Sequence, residues 1–169
     1  NPIQRRLIVK EVGKAPYQNL YFTSLSYRSP LPVFGSNDKD APHPDLSKSS
    51  CSGIVLLTGI ANPKPLKEYL QKFFDEITDL AYPDHYSYKE QDFTAITAAF
   101  NSLRSPSKYI MTTEKDAVRL RELTEIEEKI KSALFYVPVG INFLNDDKDE
   151  FDNLIIGYVR KNKQDNKFS

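Results

Sequence analysis

The sequence predicts an α/β fold: a Rossmann-like, mostly parallel sheet with crossover helices, preceded by a helix and a two-stranded hinge-like ribbon. Three observations predict it. From residue 53 onward, short apolar runs of strand length alternate with longer stretches whose apolar residues recur at helical spacing, the pattern of a parallel sheet whose strands are joined by helices. The first such run, Ile54-Val55-Leu56-Leu57, is continuously apolar, as a strand covered on both faces requires. The first 34 residues follow other rules, a helical period and then aromatic residues alternating with Thr and Ser. The expected organisation is therefore a connector helix and ribbon over 1–34, a loop over 35–52 and an α/β domain over 53–169.

Taken in order, Pro2 suits the first turn of a helix through Ile3, Leu7, Ile8 and Val12, which Gly13 ends. Gln18 to Tyr27 alternates Leu20, Phe22 and Leu25 with polar residues and reads as one strand of the ribbon, with Val33-Phe34 starting its partner. Gly35 to Ser52 holds three aspartates, two prolines, five serines and His43 with almost no large apolar residue, a surface loop. After the strand at Ile54, Asn62 caps and Pro63 opens a helix carrying Leu66, Tyr69, Leu70, Phe73, Phe74 and Ile77. Thr78 to Tyr82 is the next strand, broken by Pro83, and Gln91 to Leu103 the next helix. Lys108 to Met111 is a strand, Thr113 to Leu123 a short helix and Leu134 to Val137 a further strand. Asp149 to Arg160 closes the chain as a helix with Phe151, Leu154, Ile155 and Tyr158 inward.

Composition removes several function classes. The 169 residues carry 23 basic and 23 acidic side chains, so there is no electrostatic footprint for nucleic acid and no polybasic membrane patch. A single cysteine, Cys51, excludes an internal disulfide and a cysteine zinc cluster. The longest apolar runs, Ile54–Leu57 and Ala133–Val139, fall far short of the roughly 20 residues that span a bilayer. The opening Asn1-Pro2-Ile3-Gln4-Arg5-Arg6 has neither an initiator methionine nor a signal-peptide pattern, which leads us to expect a processed or truncated start.

In an open α/β sheet, ligands gather at the carboxyl ends of the strands. Three loops qualify. In Thr58-Gly59-Ile60-Ala61-Asn62-Pro63, Gly59 lets the backbone approach a ligand, although an ordinary tight turn explains the same residues. In Tyr82-Pro83-Asp84-His85-Tyr86-Ser87-Tyr88, a histidine stands beside a carboxylate among three tyrosines, the sharpest site in the chain. Histidine titrates near neutrality and accepts a hydroxyl proton, and a carboxylate such as Asp84 fixes its tautomer; the alternative is a turn capping the following helix. In Met111-Thr112-Thr113-Glu114-Lys115-Asp116, Thr113 and Asp116 have capping-box spacing, and Glu114 and Asp116 suit the first turn of a helix. Lys115 opposes the helix dipole there and is better explained by an anion or neighbouring carboxylates.

No Gly-x-x-x-x-Gly-Lys-Ser/Thr phosphate cradle, Gly-x-Ser-x-Gly elbow, dinucleotide fingerprint or paired metal-spaced histidines occurs in the sequence. From the residues alone the reading stops at a Rossmann-like ligand-handling domain with His85 as its best reactive group.

The three loops in order, Leu57–Pro63, Tyr82–Tyr86 and Met111–Val118, together resemble the C-terminal domain of tetraacyldisaccharide 4'-kinases. The resemblance extends upstream through Pro2–Arg6 and the Leu20-Tyr21-Phe22-Thr23-Ser24 strand, in the style of Bacteroidetes members, and is weakest over Gly35–Ser52. It implies an ATP-dependent kinase acting on the 4'-hydroxyl of tetraacyldisaccharide 1-phosphate, yielding lipid IV-A in lipid A biosynthesis. The enzyme would be peripheral, at the cytoplasmic side of the inner membrane. It further implies an N-terminal P-loop lobe that holds ATP and Mg2+, lies upstream of this sequence, and is joined through a two-stranded hinge. Residues Gln18–Phe34 are the candidate hinge. The histidine of the family's catalytic pair falls on His85, its aspartate partner lying outside this chain, and the Thr-Glu-Lys-Asp motif falls on Thr113–Asp116 with Lys115 as a phosphate or nucleotide contact. Where many relatives carry a second histidine this chain has Tyr86. Alone, the chain would then be inactive and supply one wall of the site. The rival readings are a stand-alone Rossmann-like module binding a nucleotide or glycolipid head group, and a small transferase or hydrolase using His85 as base.

Overall fold

The apolar run Ile54–Leu57 forms the middle of a seven-residue strand buried along its whole length, and the larger of two compact units, Tyr27–Val139, is built around it. The structure is a computed structural model that describes residues 2–35, 44, 46 and 52–165, residues 163–165 by backbone only. His43, Cys51 and nearly all of the expected 35–52 loop lie outside the described residues. In chain order the elements are α1 (Pro2–Val12), β1 (Thr23–Tyr27), β2 (Leu31–Pro32), β3 (Ser52–Thr58), α2 (Lys64–Leu70), β4 (Glu76–Ala81) and α3 (Asp92–Ser102). They continue with β5 (Ser107–Thr113), α4 (Glu114–Leu120), α5 (Glu128–Ala133), β6 (Leu134–Val137), β7 (Val139–Phe143) and α6 (Lys148–Asp165).

In the larger unit the strands lie in the order β2-β6-β5-β3-β4. β4, β3, β5 and β6 are parallel, and β2 runs antiparallel to β6 at the edge, the place where a strand proline such as Pro32 loses no ladder bond. Because successive side chains of a strand face opposite ways, β3 feeds two cores. Val55 and Leu57 pack with Phe93, Ile96, Phe100, Ile110 and Leu120 on one face, and Ile54 and Leu56 pack with Leu66, Leu70, Phe74, Met111 and Phe135 on the other. This is the Rossmann-like parallel sheet expected from the sequence. β3 is flanked by β4 on one side and β5 on the other, so the strand order reverses here, which places a crevice outside the carboxyl ends of β3 and β5.

One helix is shorter than its periodicity suggests. The spacing of apolar residues carries it to Ile77, but α2 ends at Leu70 with Pro63 as its N-cap and no side-chain cap bond. The residues beyond are claimed by the sheet: Glu76 and Ile77 pair with Gly53 and Ile54. The Glu76 carboxylate accepts the Ser105 hydroxyl at 2.6 Å and the backbone N–H groups of Arg104 and Ser105, each at 2.8 Å. Those bonds, the Ser105 hydroxyl first, hold its pKa below the usual carboxylate range. A Cβ on Gly53 would lie 2.6 Å from the Glu76 carboxylate, so a larger residue at that point would push the carboxylate from its bonds to Ser105.

The smaller unit comprises residues 1–26 and 140–169. Its two-stranded ribbon exists, but the partner of β1 is β7 and not Val33-Phe34. Leu144 N–H bonds the Phe22 carbonyl at 2.8 Å and Arg28 N–H bonds the Pro138 carbonyl at 3.0 Å, so the two strands run in opposite directions. Val33 instead is buried in the larger unit's core, which draws Leu31 and Pro32 onto the sheet edge. Tyr21, Phe143 and Phe151 form an aromatic cluster with ring centroids 5.3–6.1 Å apart. The last helix, expected with the α/β domain, groups by its contacts with this unit. Of its expected inward residues Phe151 alone is partly covered, while Leu154, Ile155 and Tyr158 are exposed. The aromatic cluster meets only the first turn of α6 and leaves the rest of that face uncovered. Gly13 takes the left-handed conformation, φ 57°, at the end of α1, as the helix stop requires. Among the described residues no helix is long and apolar enough to cross a membrane.

Candidate active site at the ends of β3, β4 and β5

The three loops singled out in the sequence meet. Their junction is Asp116, whose side chain is 0% exposed. Thr113 caps α4 with its hydroxyl accepting the Asp116 N–H at 3.1 Å. In an ordinary capping box the carboxylate would reach back to the cap's own N–H. Here it turns to the neighbouring loop, accepting the Gly59 N–H at 3.0 Å and the Thr113 hydroxyl at 2.7 Å. A side chain at position 59 would press on that carboxylate and on the Tyr88 hydroxyl, since a Cβ would lie 3.0 Å and 3.1 Å from them. Gly59 is thus a point of close approach, between its own backbone and the Asp116 and Tyr88 side chains.

The loop after β4 is tied to the same point. The Gly59 carbonyl accepts the His85 N–H at 3.1 Å and the Thr58 carbonyl accepts the Tyr82 N–H at 2.7 Å. His85 has φ 60°, left-handed backbone that histidine tolerates better than most residues but that still costs about 1–3 kcal/mol. Asp84 accepts the same His85 N–H at 3.0 Å, so that one N–H is shared between the Gly59 carbonyl and the Asp84 carboxylate. Tyr82, Tyr86 and Tyr88 form an aromatic cluster, mostly edge to face, with ring centroids 4.6–5.4 Å apart. Burial, with the neighbouring Asp116 charge, pushes the Tyr88 hydroxyl well above the usual tyrosine range, so it stays protonated. It is buried with no hydrogen-bond partner among the described residues. The following helix has Gln91 as its N-cap with no side-chain cap bond; Asp92, its first residue, instead accepts the Lys89 N–H at 2.8 Å and the Tyr86 hydroxyl at 3.2 Å, and the Asp84-His85 pair does not cap it.

Two cations of α4 flank the His85 ring. Lys115 Nζ lies 3.3 Å from Nε2 and Arg119 Nη2 lies 3.3 Å from Nδ1. Lys115 also sits 3.7 Å from Asp84, and Arg119 is held by Asp116 at 3.2 Å. The anionic neighbour expected for Lys115 is therefore Asp84. Of the residues named from sequence, Gly59, Asp84, His85, Thr113, Lys115 and Asp116 come together. Glu114 is exposed and joins none of these contacts. Thr58 is buried and helps line a separate cleft of about 310 Å³ with Lys64, Lys67 and Asp79. Sequence reasoning missed Arg119. Arg119 stands three residues after Asp116 and four after Lys115, the spacing that puts helical side chains on one face, and that signal was available.

An open α/β unit whose switch-point loops gather an acid, a histidine and two cations is of Rossmann-like type. The family follows from comparison with known proteins. Residues 14–160 match the sequence model of LpxK, tetraacyldisaccharide-1-P 4'-kinase, and the chain belongs to that family. The tetraacyldisaccharide 4'-kinase of Bacteroides thetaiotaomicron is 37% identical over 99% of this chain and 45% of its own length. That of Parabacteroides distasonis is 35% identical over 94% of this chain and 42% of its own length. The chain thus spans less than half the length of these curated relatives. A crystal structure of LpxK from Aquifex aeolicus in complex with ATP aligns with 80% of this chain and 37% of that one, at 13% identity and a TM-score of 0.42. The assignment rests on the sequence matches.

Proposed function

We propose that this chain is the C-terminal lobe of an ATP-dependent kinase that phosphorylates the 4'-hydroxyl of tetraacyldisaccharide 1-phosphate, giving lipid IV-A in lipid A biosynthesis. The observation that supports this most is the meeting of His85, Lys115 and Asp116 at the switch point of a chain belonging to this family. In this reading the remaining length of the relatives supplies a P-loop lobe that holds the ATP phosphates and Mg2+. Among the described residues here, no group of three or more His, Cys, Asp or Glu is placed to hold a metal ion, and no step is assigned to magnesium.

His85 would orient and charge-tune a carboxylate base brought by that other lobe, which removes the proton of the attacking sugar hydroxyl. Lys115 would meet phosphate oxygens. Phosphoryl transfer depends chiefly on such positioning and electrostatics. Asp116, Thr113 and Gly59 keep His85 and the α4 cations at fixed separation, and the ribbon formed by β1 and β7 would serve as the hinge. The exposed apolar residues of α1 and α6 would pack on the same upstream lobe, and the enzyme would work peripherally at the cytoplasmic face of the inner membrane.

The test is ATP-dependent phosphorylation of tetraacyldisaccharide 1-phosphate by the protein extended to the full length of its relatives. We expect activity in the extended protein, none in the 169-residue chain, and a fall of roughly 10²–10⁴-fold in His85→Ala, the range for lost acid–base assistance. A folded extended protein without activity would remove the kinase reading, and full activity in His85→Ala would remove the role of that residue.

A further inference from the structure

The surroundings of His85 contain more donors than its ring can satisfy. A neutral imidazole has one accepting nitrogen and one N–H, whereas lysine and arginine only donate. Lys115 Nζ and Arg119 Nη2 each stand 3.3 Å from a different ring nitrogen. At most one of these contacts is a hydrogen bond. The structure indicates which. The Arg119 side chain is 22% exposed and is anchored to the buried Asp116 carboxylate, itself held by Gly59 and Thr113. Lys115 is 47% exposed, at the end of a flexible stem. The rigid donor keeps its acceptor, so Nδ1 accepts from Arg119 and the ring proton sits on Nε2. Nε2–H and the Lys115 ammonium then stand side by side, both donating. The carboxylate nearest to them, Asp84, is 3.7 Å from each, an ion-pair distance too long for a hydrogen bond.

Building on the reading of this site as one wall of a kinase centre, we propose that Arg119 is a positioning residue that fixes the His85 tautomer. Until the upstream lobe's carboxylate base engages the ring, His85 Nε2–H and Lys115 Nζ form a paired-donor seat for one oxygen of a phosphate group. A phosphate oxygen between them would accept both bonds and relieve the donor–donor contact, which a neutral or cationic ligand would not do.

The chain contains only two histidines, His43 and His85, so ring nitrogens labelled with 15N are assigned with one substitution, His43→Gln. At mildly alkaline pH, where ordinary imidazole is neutral, we expect His85 to be protonated at Nε2 with Nδ1 accepting a hydrogen bond. Inorganic phosphate should shift the His85 resonances and leave His43 unmoved. Lys115→Met should keep the tautomer and weaken the phosphate response about tenfold, the size of one charge-assisted bond. Arg119→Met should give mixed tautomers, and Arg119→Lys should restore the single form. Lys115→Met leaves the Asp116 network whole, so it carries the test if Arg119→Met does not fold. A ring protonated at Nδ1 in the unsubstituted chain, or a phosphate response indifferent to Lys115→Met, would overturn the proposal. Because the measurement needs neither ATP nor the upstream lobe, its failure is separable from failure of the kinase assay.

Discussion

The two units treat their apolar residues in opposite ways. In residues 27–139 the large apolar side chains of β3, α3 and β5 are sealed between sheet and helices, with Ile54, Leu57, Ile96 and Ile110 fully buried. In the unit formed by residues 1–26 and 140–169, Ile3, Leu7 and Val12 of α1 and Leu154, Ile155 and Tyr158 of α6 lie exposed. Both units have the helical spacing that normally marks a core-facing stripe. Periodicity therefore reports that a face is built for burial and says nothing about what covers it. The larger unit contains its own cover. The smaller one, in a chain that spans less than half of its relatives' length, has faces without one.

The largest expected difference is in the cores. Leu57→Ala removes a side chain at 0% exposure from the middle of the sheet and should destabilise the larger unit by about 2–5 kcal/mol, read as a fall in the urea midpoint. A loss below about 1 kcal/mol, the scale of an exposed site, would break the contrast between the units. The next effect is on acid sensitivity. The folded-state pKa of Glu76 is depressed, so its contribution is present above the ordinary carboxylate pKa of about 4.3 and is lost as pH falls through the lower folded value. Glu76→Gln should thus flatten the decline of stability below about pH 4.3 while changing its slope little near neutrality. An unchanged acid profile would mean that the bonds tying β4 to the turn after α3 do not contribute to closing this unit.

What the sequence disclosed follows the same division. The α/β order and the site loops were legible because their signals are local: an apolar run ends, a glycine or Thr-x-x-Asp follows, and the parallel sheet brings such ends together. Arg119 shared a helix face with Asp116 and Lys115 by spacing, but its contact with His85, a residue of another loop, was not legible. β7 was missed because Val139, Asn142 and their neighbours are mostly exposed and its strand partner lies near the other end of the sequence. α5, with six residues, is too short to show a helical period. The overlong α2 came from counting Phe73, Phe74 and Ile77 as one stripe, when Phe74 reaches the core from a turn and Ile77 from a strand.

The smallest expected effect is the one that tests the comparison most directly. Leu154 and Ile155 on α6 are 48% and 44% exposed, so Leu154→Ser with Ile155→Ser should alter the stability of the 169-residue chain by less than about 0.5 kcal/mol, as exposed sites do. The same pair of substitutions in the protein extended to its relatives' length should cost several times more, because burying each large aliphatic side chain contributes about 1.5–3 kcal/mol. The informative quantity is the difference between the two losses. A loss confined to the longer protein would mean that the face of α6 is core there and is uncovered only in the shorter chain. Equal losses in both would mean that the face is already packed within the smaller unit, and no loss in either would mean that it meets solvent throughout.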